Sequence, residues 1–196
     1  IDSSRVAINN FCFEHDKQYL RINGNLTKES SDILAVNLNN IQLEYIFDIL
    51  QFHPVDFRGM ASGRAIVTQA FKNPSLNADL KIKDFAFNKG IMGDMDIKGL
   101  WNEEEGNIHL DADIRRGENS RTTVLGFVSP KRDSLDLRIN TQNSNLEFLN
   151  EYTSGIFDKV TGEVSGPLHL YGPFDQLNLL GNIKGNARDR KSTRLN

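Results

Sequence analysis

The stretch SLNADLKIKDFAF (residues 75–87) alternates polar and apolar side chains along its first nine positions. Apolar residues occupy positions 76, 78, 80 and 82, and Asn, Asp or Lys occupies each position between them. Successive side chains of a β-strand point to opposite faces of the sheet. The alternation therefore predicts a strand with one apolar face and one solvated face, which is typical of antiparallel sheets.

The same alternation recurs along the chain and is clearest in NIHLDADIR (107–115) and SLDLRIN (134–140). Segments rich in Gly, Asn, Asp and Pro separate the alternating stretches, and these residues favour the tight turns of β-hairpins. The sequence therefore predicts an all-β, mainly antiparallel fold. Noisier strands are predicted at 5–13, 18–27, 32–38, 57–71, 91–101, 120–129, 161–171 and 176–186.

One long segment of the sequence occurs twice. IQLEYIFDILQFHPVDFRGMASG (41–63) returns as SNLEFLNEYTSGIFDKVTGEVSG (144–166), at a constant offset of 103 residues. Both copies end in Gly-x-x-Ser-Gly, and glycines within strands are expected to mark bends or close backbone approach. We interpret the pattern as an internal repeat, with units at approximately 24–126 and 127–187, that builds an elongated sheet by addition.

Each copy of the repeat also predicts one short amphipathic helix. Residues 41–52 carry one apolar stripe at helical spacing, with Asn40 as the N-cap. The second copy places a helix at 145–157, with Asn145 as its cap. A helix of this length needs a surface to lie on. It either packs on its own sheet or forms a plug or rim for an apolar groove.

The bulk composition excludes several classes of protein. The chain has 196 residues, of which 38% are hydrophobic and 25% charged, so it does not resemble a disordered sequence. Its single cysteine, Cys12, excludes an internal disulfide framework. No apolar run approaches the 18 or more residues that a membrane-spanning helix requires.

The last residues differ in character from the rest. DRKSTRLN (189–196) resembles the translation of a common sequencing-library adapter, so we interpret 188–196 as a non-native tail and 1–187 as a fragment of a repetitive sheet. The tail contains four basic residues and one acidic residue, so its removal shifts the formal net charge from −3 to −6. Because it holds the only basic cluster, we expect no nucleic-acid partner.

The sequence contains no recognisable catalytic arrangement. None of His15, His53, His109 and His169 has a Cys, His or carboxylate partner at the spacing of a metal site. His109 and His169 are expected on the solvated face, and Cys12 has no basic neighbour that would lower its pKa. The chain also lacks a G-x-S-x-G elbow and a phosphate-binding glycine loop. We predict that the fragment is not an enzyme and uses no cofactor or metal.

Two segments resemble a known family. FRGMASGRAIVTQAFKNPSLNADLKIKDFAF (57–87) and VTGEVSGPLHLYGPFDQLNLLGNIKGNA (160–187) are similar to the TamB and AsmA-like proteins of Gram-negative envelopes, through a Gly-x-x-Ser-Gly strand, a short Pro-x-Leu turn and a following strand. The first copy departs from the pattern, with Arg-Ala-Ile-Val at 64–67 in place of Pro-Leu-His-Leu.

The resemblance implies a β-taco-like fold, in which an elongated sheet curls into an open trough with an apolar interior. It implies a periplasmic bridge of a Gram-negative bacterium, anchored in the inner membrane by an N-terminal segment outside this fragment. It further implies transport of phospholipid between the inner and outer membranes, support of outer-membrane protein assembly, or both. An outer-membrane β-barrel partner is also implied.

Alternation makes one face of such a sheet compatible with acyl chains, and that face is expected to lack polar side chains. The alternative is a structural or adhesive repeat module with a sealed core. The strands of an open trough and of a sealed module would show the same alternation of apolar and polar residues. The lipid hypothesis predicts a groove lined by Leu76, Leu80, Ile82, Ile108, Leu110, Ile114, Leu135, Leu137, Ile139, Leu177, Leu179 and Ile183.

Overall fold

A computed structural model describes residues 6–27, 31–49, 56–69, 75–88, 90–145, 147 and 160–189. Within these ranges the chain forms twelve β-strands, one α-helix (α1, Leu43–Ile49) and one 3-10 turn (Pro130–Arg132). The strands are β1 (Val6–His15), β2 (Gln18–Leu26), β3 (Ile33–Gln42), β4 (Phe57–Thr68), β5 (Ser75–Phe87), β6 (Gly90–Asn102), β7 (Asn107–Arg116), β8 (Ser120–Ser129), β9 (Ser134–Asn145), β10 (Val160–Pro173), β11 (Asn178–Gly181) and β12 (Lys184–Asp189).

All of these strands belong to one antiparallel sheet, in which each strand from β1 to β10 pairs with the next strand along the chain. β11 pairs with the second half of β10 and β12 with the first half, so the two short strands share one edge. The sheet is open, with β1 at its other edge. The predicted all-β antiparallel fold is confirmed, and each alternating stretch of the sequence forms a strand.

Several strand predictions differ from the structure at their ends. β3 and β9 continue to Gln42 and Asn145, beyond the points where alternation ends in the sequence. The predicted strand at 176–186 is divided into β11 and β12. β12 includes residues 188 and 189 of the predicted tail, and residues 190–196 lie outside the described residues.

β-Bulges explain why the alternation breaks inside strands. Strands β1, β3, β5 and β9 each contain one residue with positive φ at a shift in register. The backbone N–H of that residue donates a hydrogen bond to a side-chain oxygen on the next strand along the chain. Each bulge places one extra residue in its strand and shifts the alternation by one position. The bonds are Asn10 to Asn23 Oδ1 (3.2 Å), Asn40 to Ser62 Oγ (2.9 Å), Asp84 to Asp94 Oδ1 (3.1 Å) and Asn143 to Ser165 Oγ (2.9 Å).

The prediction that Asn40 caps a helix is therefore wrong. Asn40 lies in β3 with φ of 58°, and α1 begins three residues later. In the second copy, Asn145 Oδ1 accepts the backbone N–H of Glu147 at 2.9 Å, which is the geometry of a capping side chain. The rest of the second predicted helix lies outside the described residues.

Equivalent positions of the two sequence copies have matching geometry. The bulges at Asn40 and Asn143 form the same 2.9 Å bond to serines 22 residues further along the chain. Gly63 and Gly166, each one residue after that serine, have φ of 143° and 142°. The division of the chain into units at 24–126 and 127–187 stays a prediction.

The sheet curls strongly about its apolar face. Three inter-strand spacings in a flat sheet would separate β6 and β9 by about 14 Å. Their Cα atoms instead approach within 8 Å, although β7 and β8 lie between them in the sheet. Met95 and Ile114 on the apolar face are buried, whereas Asp111 and Arg138 on the other face are exposed, so the apolar face is the concave one.

Helix α1 packs on this sheet through a cluster of apolar side chains. Leu43 is buried in the common core, and the ring of Phe47 lies 5.0 Å from that of Phe57 on β4. Phe57 in turn lies 6.1 Å from Phe85 and 5.6 Å from Phe87 on β5. The helix therefore covers one end of the curled sheet. In the described part of the chain, no helix is long and apolar enough to cross a membrane.

Candidate functional site

The register of the sheet defines one continuous apolar surface, here called the inner face. Directly paired residues of an antiparallel sheet project to the same side, so chains of paired residues can be followed from strand to strand. Ten of the twelve predicted lining residues lie on this face. The other two, Leu177 and Ile183, are not paired in a strand, although Ile183 packs against the core.

The inner face consists of four rows of side chains that run across the strands. Row A comprises Ile41, Ala61, Ile82, Met95, Ile114, Thr122 and Thr141. Row B comprises Leu20, Leu38, Gly63, Leu80, Ile97, Ala112, Val124, Ile139 and Leu168.

The remaining two rows lie further from α1. Row C comprises Ile22, Val36, Ala65, Ala78, Gly99, Leu110, Gly126, Leu137, Leu170 and Leu179. Row D comprises Leu34, Val67 and Leu76 on β3 to β5 and Trp101, Ile108, Val128 and Leu135 on β6 to β9.

Contact with the hydrophobic core separates these rows into two pairs. Every apolar side chain of rows A and B belongs to the hydrophobic core or packs against it. Of the described side chains in rows C and D, only Val36 and Leu179 pack against this core. Leu34 and Leu135 are buried outside that core, and the other large apolar side chains of rows C and D are partly exposed. Row A is thus the most closed part of the inner face, row B combines buried side chains with partly exposed ones such as Leu80 and Ile139, and much of rows C and D is accessible.

The expectation of a wholly apolar inner face is wrong. Thr122 and Thr141 occupy row A, each 3% exposed, and Ser144 lies beyond the bulge on β9 at 2%. The hydroxyls of Thr122 and Ser144 form a hydrogen bond of 2.5 Å, and Thr141 donates to the carbonyl oxygen of Gly166 at 3.1 Å. These polar groups are tolerated because each has a partner inside the protein.

Two glycines of the repeat allow unusually close contact between strands. At the φ of 143° observed for Gly63, a methyl group would overlap the carbonyl oxygen of Asp79 on the neighbouring β5. At Gly166 it would overlap the carbonyl oxygen of Asn182. This confirms the close backbone approach that the Gly-x-x-Ser-Gly pattern predicts.

The outer face carries the charges. Asp113 accepts hydrogen bonds from Nε and Nη2 of Arg121 at 2.9 and 3.1 Å, and it also pairs with Arg115. These bonds hold the pKa of Asp113 below its usual range, with Arg121 the larger cause and Arg115 the second. The pair is invisible in the sequence because it depends on cross-strand register.

The histidines and the cysteine have neighbours that the sequence does not reveal. His109 and His169 lie on the outer face as predicted, but each contacts a carboxylate: Glu105 at 3.0 Å and Asp136 at 2.9 Å, respectively. The described residues contain no group of three or more ligands that could hold a metal ion. Cys12 lies directly opposite Arg21, so the expectation that it has no basic neighbour is wrong.

Comparison with known proteins gives no assignment. No family model matches the chain, and no curated protein or solved structure matches it either. Membership of the TamB and AsmA-like family therefore stays a prediction that rests on residues 57–87 and 160–187.

Proposed function

We propose that the chain is a segment of a lipid conduit, in which the inner face holds the acyl chains of phospholipid. The observation that supports this most directly is a continuous apolar face on a single curled sheet, with partly exposed side chains across β2 to β10. Binding to such a face requires no catalytic group, since it depends only on removing apolar surface from water.

The energetics of lipid transfer favour such a surface. Each acyl CH₂ group that leaves a bilayer for water costs about 0.8 kcal/mol, so unassisted crossing of an aqueous space is slow. A hydrocarbon leaflet spans about 15 Å, half of a bilayer core. That length equals about three strand spacings. An acyl chain lying across the strands would therefore contact three or four neighbouring strands at a time.

The resemblance to TamB and AsmA-like proteins extends this proposal to the cell. The segment would form part of an inner-membrane-anchored periplasmic bridge of a Gram-negative bacterium, which moves phospholipid toward the outer membrane, supports outer-membrane protein assembly with a β-barrel partner, or does both. These roles rest on the sequence resemblance. The apolar face by itself supports only the binding of acyl chains.

A structural or adhesive module with a sealed core is the second candidate. The observation in its favour is the burial of row A, where Ala61 is fully buried and Ile82 and Ile114 are 3% and 4% exposed. A module of this kind would bind no lipid and would use its inner face only for stability.

The single tryptophan allows a direct test. Trp101 lies in row D, paired with Ile108, while its neighbour Leu100 points to the outer face and is 58% exposed. The purified chain would be mixed with phospholipid carrying bromine on its acyl chains. We expect quenching of Trp101 fluorescence, and much weaker quenching in the matched Trp101→Phe/Leu100→Trp variant, whose tryptophan faces outward.

Lipid brominated on its acyl chains is compared with the unbrominated form at equal concentration, which controls for changes in tryptophan environment. Equal quenching of both proteins would indicate adsorption to the outer surface. The absence of quenching in the folded protein would contradict the proposed function and favour the sealed module.

A further inference from the structure

Two predicted lining residues of one strand have different surroundings. Leu110 and Ile114 both lie on β7, both face inward, and are four residues apart. Ile114 is in row A, is 4% exposed and belongs to the hydrophobic core. Leu110 is in row C, is partly exposed and lies outside that core. Sequence alternation gives both the same role, whereas burial separates them.

The core is most fully closed along row A. Cα atoms of β6 and β9 approach within 8 Å, which brings the inner face against itself. The hydroxyls of Thr122, Thr141 and Ser144 are bonded within the protein and are at most 3% exposed. An acyl chain that entered here would have to separate packed side chains and leave buried hydroxyls without partners, and both changes are unfavourable.

We infer that an acyl chain binds along rows C and D and not along row A, which stays packed against the rest of the core. The inference rests on the proposed function and locates the lipid within the inner face. Of the residues predicted to line the groove, the partly exposed ones in rows C and D would contact lipid and those in row A would not. The first group is Leu76, Ile108, Leu110, Leu137 and Leu179, and the second is Ile82 and Ile114. Leu80 and Ile139 of row B are partly exposed and lie between the two groups, and Leu135 of row D is buried.

The dimensions of rows C and D favour an acyl chain over a peptide. The two rows are two residues apart along each strand, which is about 7 Å. A helix with its side chains is about 10 Å across, which is wider than the 7 Å between the centres of the two rows. An added β-strand would need free backbone groups, but β2 to β10 are each paired on both sides in the sheet. A single hydrocarbon chain fits the width and needs no hydrogen bonds.

The test uses a photo-crosslinking amino acid at three positions of β7, in the full chain incubated with phospholipid vesicles. Position 110 tests row C, position 114 tests row A, and position 109, whose His109 points outward, is the control. We expect crosslinked phospholipid at position 110 at least fivefold above positions 109 and 114. Thermal melting of each variant shows that it is folded.

The outcomes separate the inference from the proposed function. Equal crosslinking at positions 110 and 114 in folded proteins would overturn the inference and leave the lipid conduit standing. No crosslinking at any position would overturn the proposed function, and the inference with it.

Because a bulky residue at position 114 can disturb the core, milder substitutions provide a second measurement. Leu110→Asn should weaken phospholipid binding at least fivefold, while Ile114→Val should leave it within twofold, as followed by Trp101 quenching. A comparable loss of affinity in the folded Ile114→Val protein would overturn the inference.

Discussion

The close approach of β4 and β5 at Gly63 gives a sharp prediction for the substitution Gly63→Ala. The added methyl group would overlap the carbonyl oxygen of Asp79 and lie 3.0 Å from the Cα atom of Leu80. A non-glycine residue at a φ of 143° costs about 1–3 kcal/mol in backbone strain. Moving β5 to relieve the overlap would weaken ladder hydrogen bonds that are worth about 1 kcal/mol each.

We therefore expect Gly63→Ala to lower the free energy of unfolding by about 3 kcal/mol, the sum of these two effects. In a chain of this size, 1 kcal/mol changes the melting temperature by about 2–4 °C, so the expected decrease is about 6–12 °C. Gly166→Ala should behave in the same way, because Gly166 has a φ of 142° and the same overlap with a neighbouring carbonyl.

Gly99→Ala is the matched control for this prediction. Gly99 lies on the same inner face, but a methyl group there would meet only side chains, at 3.4 Å from Ile108 Cγ2 and 3.5 Å from Leu110 Cδ2. Replacing such a glycine with alanine changes stability little or raises it by about 0.5–1 kcal/mol. Thermal and urea unfolding followed by circular dichroism would compare the three variants. Equal stability of Gly63→Ala and Gly99→Ala would refute the close approach of β4 and β5.

Two further predictions concern side-chain pairs. Asp113→Asn should lower stability at neutral pH by about 0.5–1 kcal/mol. Arg121 lowers the pKa of Asp113 in the folded protein. The ionised Asp113 therefore stabilises the fold fully above its pKa in the unfolded chain, which is about 4. This stabilisation is lost as the pH falls through the lower pKa of Asp113 in the folded protein. Urea unfolding should thus show the variant and the parent converging in acid, and a constant difference would contradict the pairing. Thr122→Val leaves the buried Ser144 hydroxyl without its partner and should lower the free energy of unfolding by about 1–3 kcal/mol. The double variant Thr122→Val/Ser144→Ala should lose less stability than the two single variants added together. Simple additivity of the losses would count against the hydrogen bond.

Local sequence rules predict most of the strands because they depend on geometry within one strand. The alternation around Leu110 places it on the apolar face and His109 on the solvated face, and the structure confirms both positions. The bulge at Asn40 is harder to predict. Asparagine both tolerates positive φ and caps helices, so its role depends on whether Ser62 of the next strand lies close enough to accept its N–H.

Contacts across strands require the register, which no single segment specifies. The diagonal pairing of Asp113 with Arg121 and the position of Arg21 opposite Cys12 both follow from the register of a hairpin. A shift of one residue would place every such side chain on the other face. These contacts could be identified only after the strands were paired.

Local alternation is enough to predict strands joined by short turns, and hence one apolar and one charged face, because side-chain direction in a strand repeats every two residues. Which part of the apolar face is a closed core depends instead on how the sheet curls. Ile114 and Leu110 have the same parity and similar hydrophobicity, but the curl that brings β6 within 8 Å of β9 accompanies the burial of one, while the other remains partly exposed. That difference depends on distances between strands remote in the chain, which local alternation does not encode.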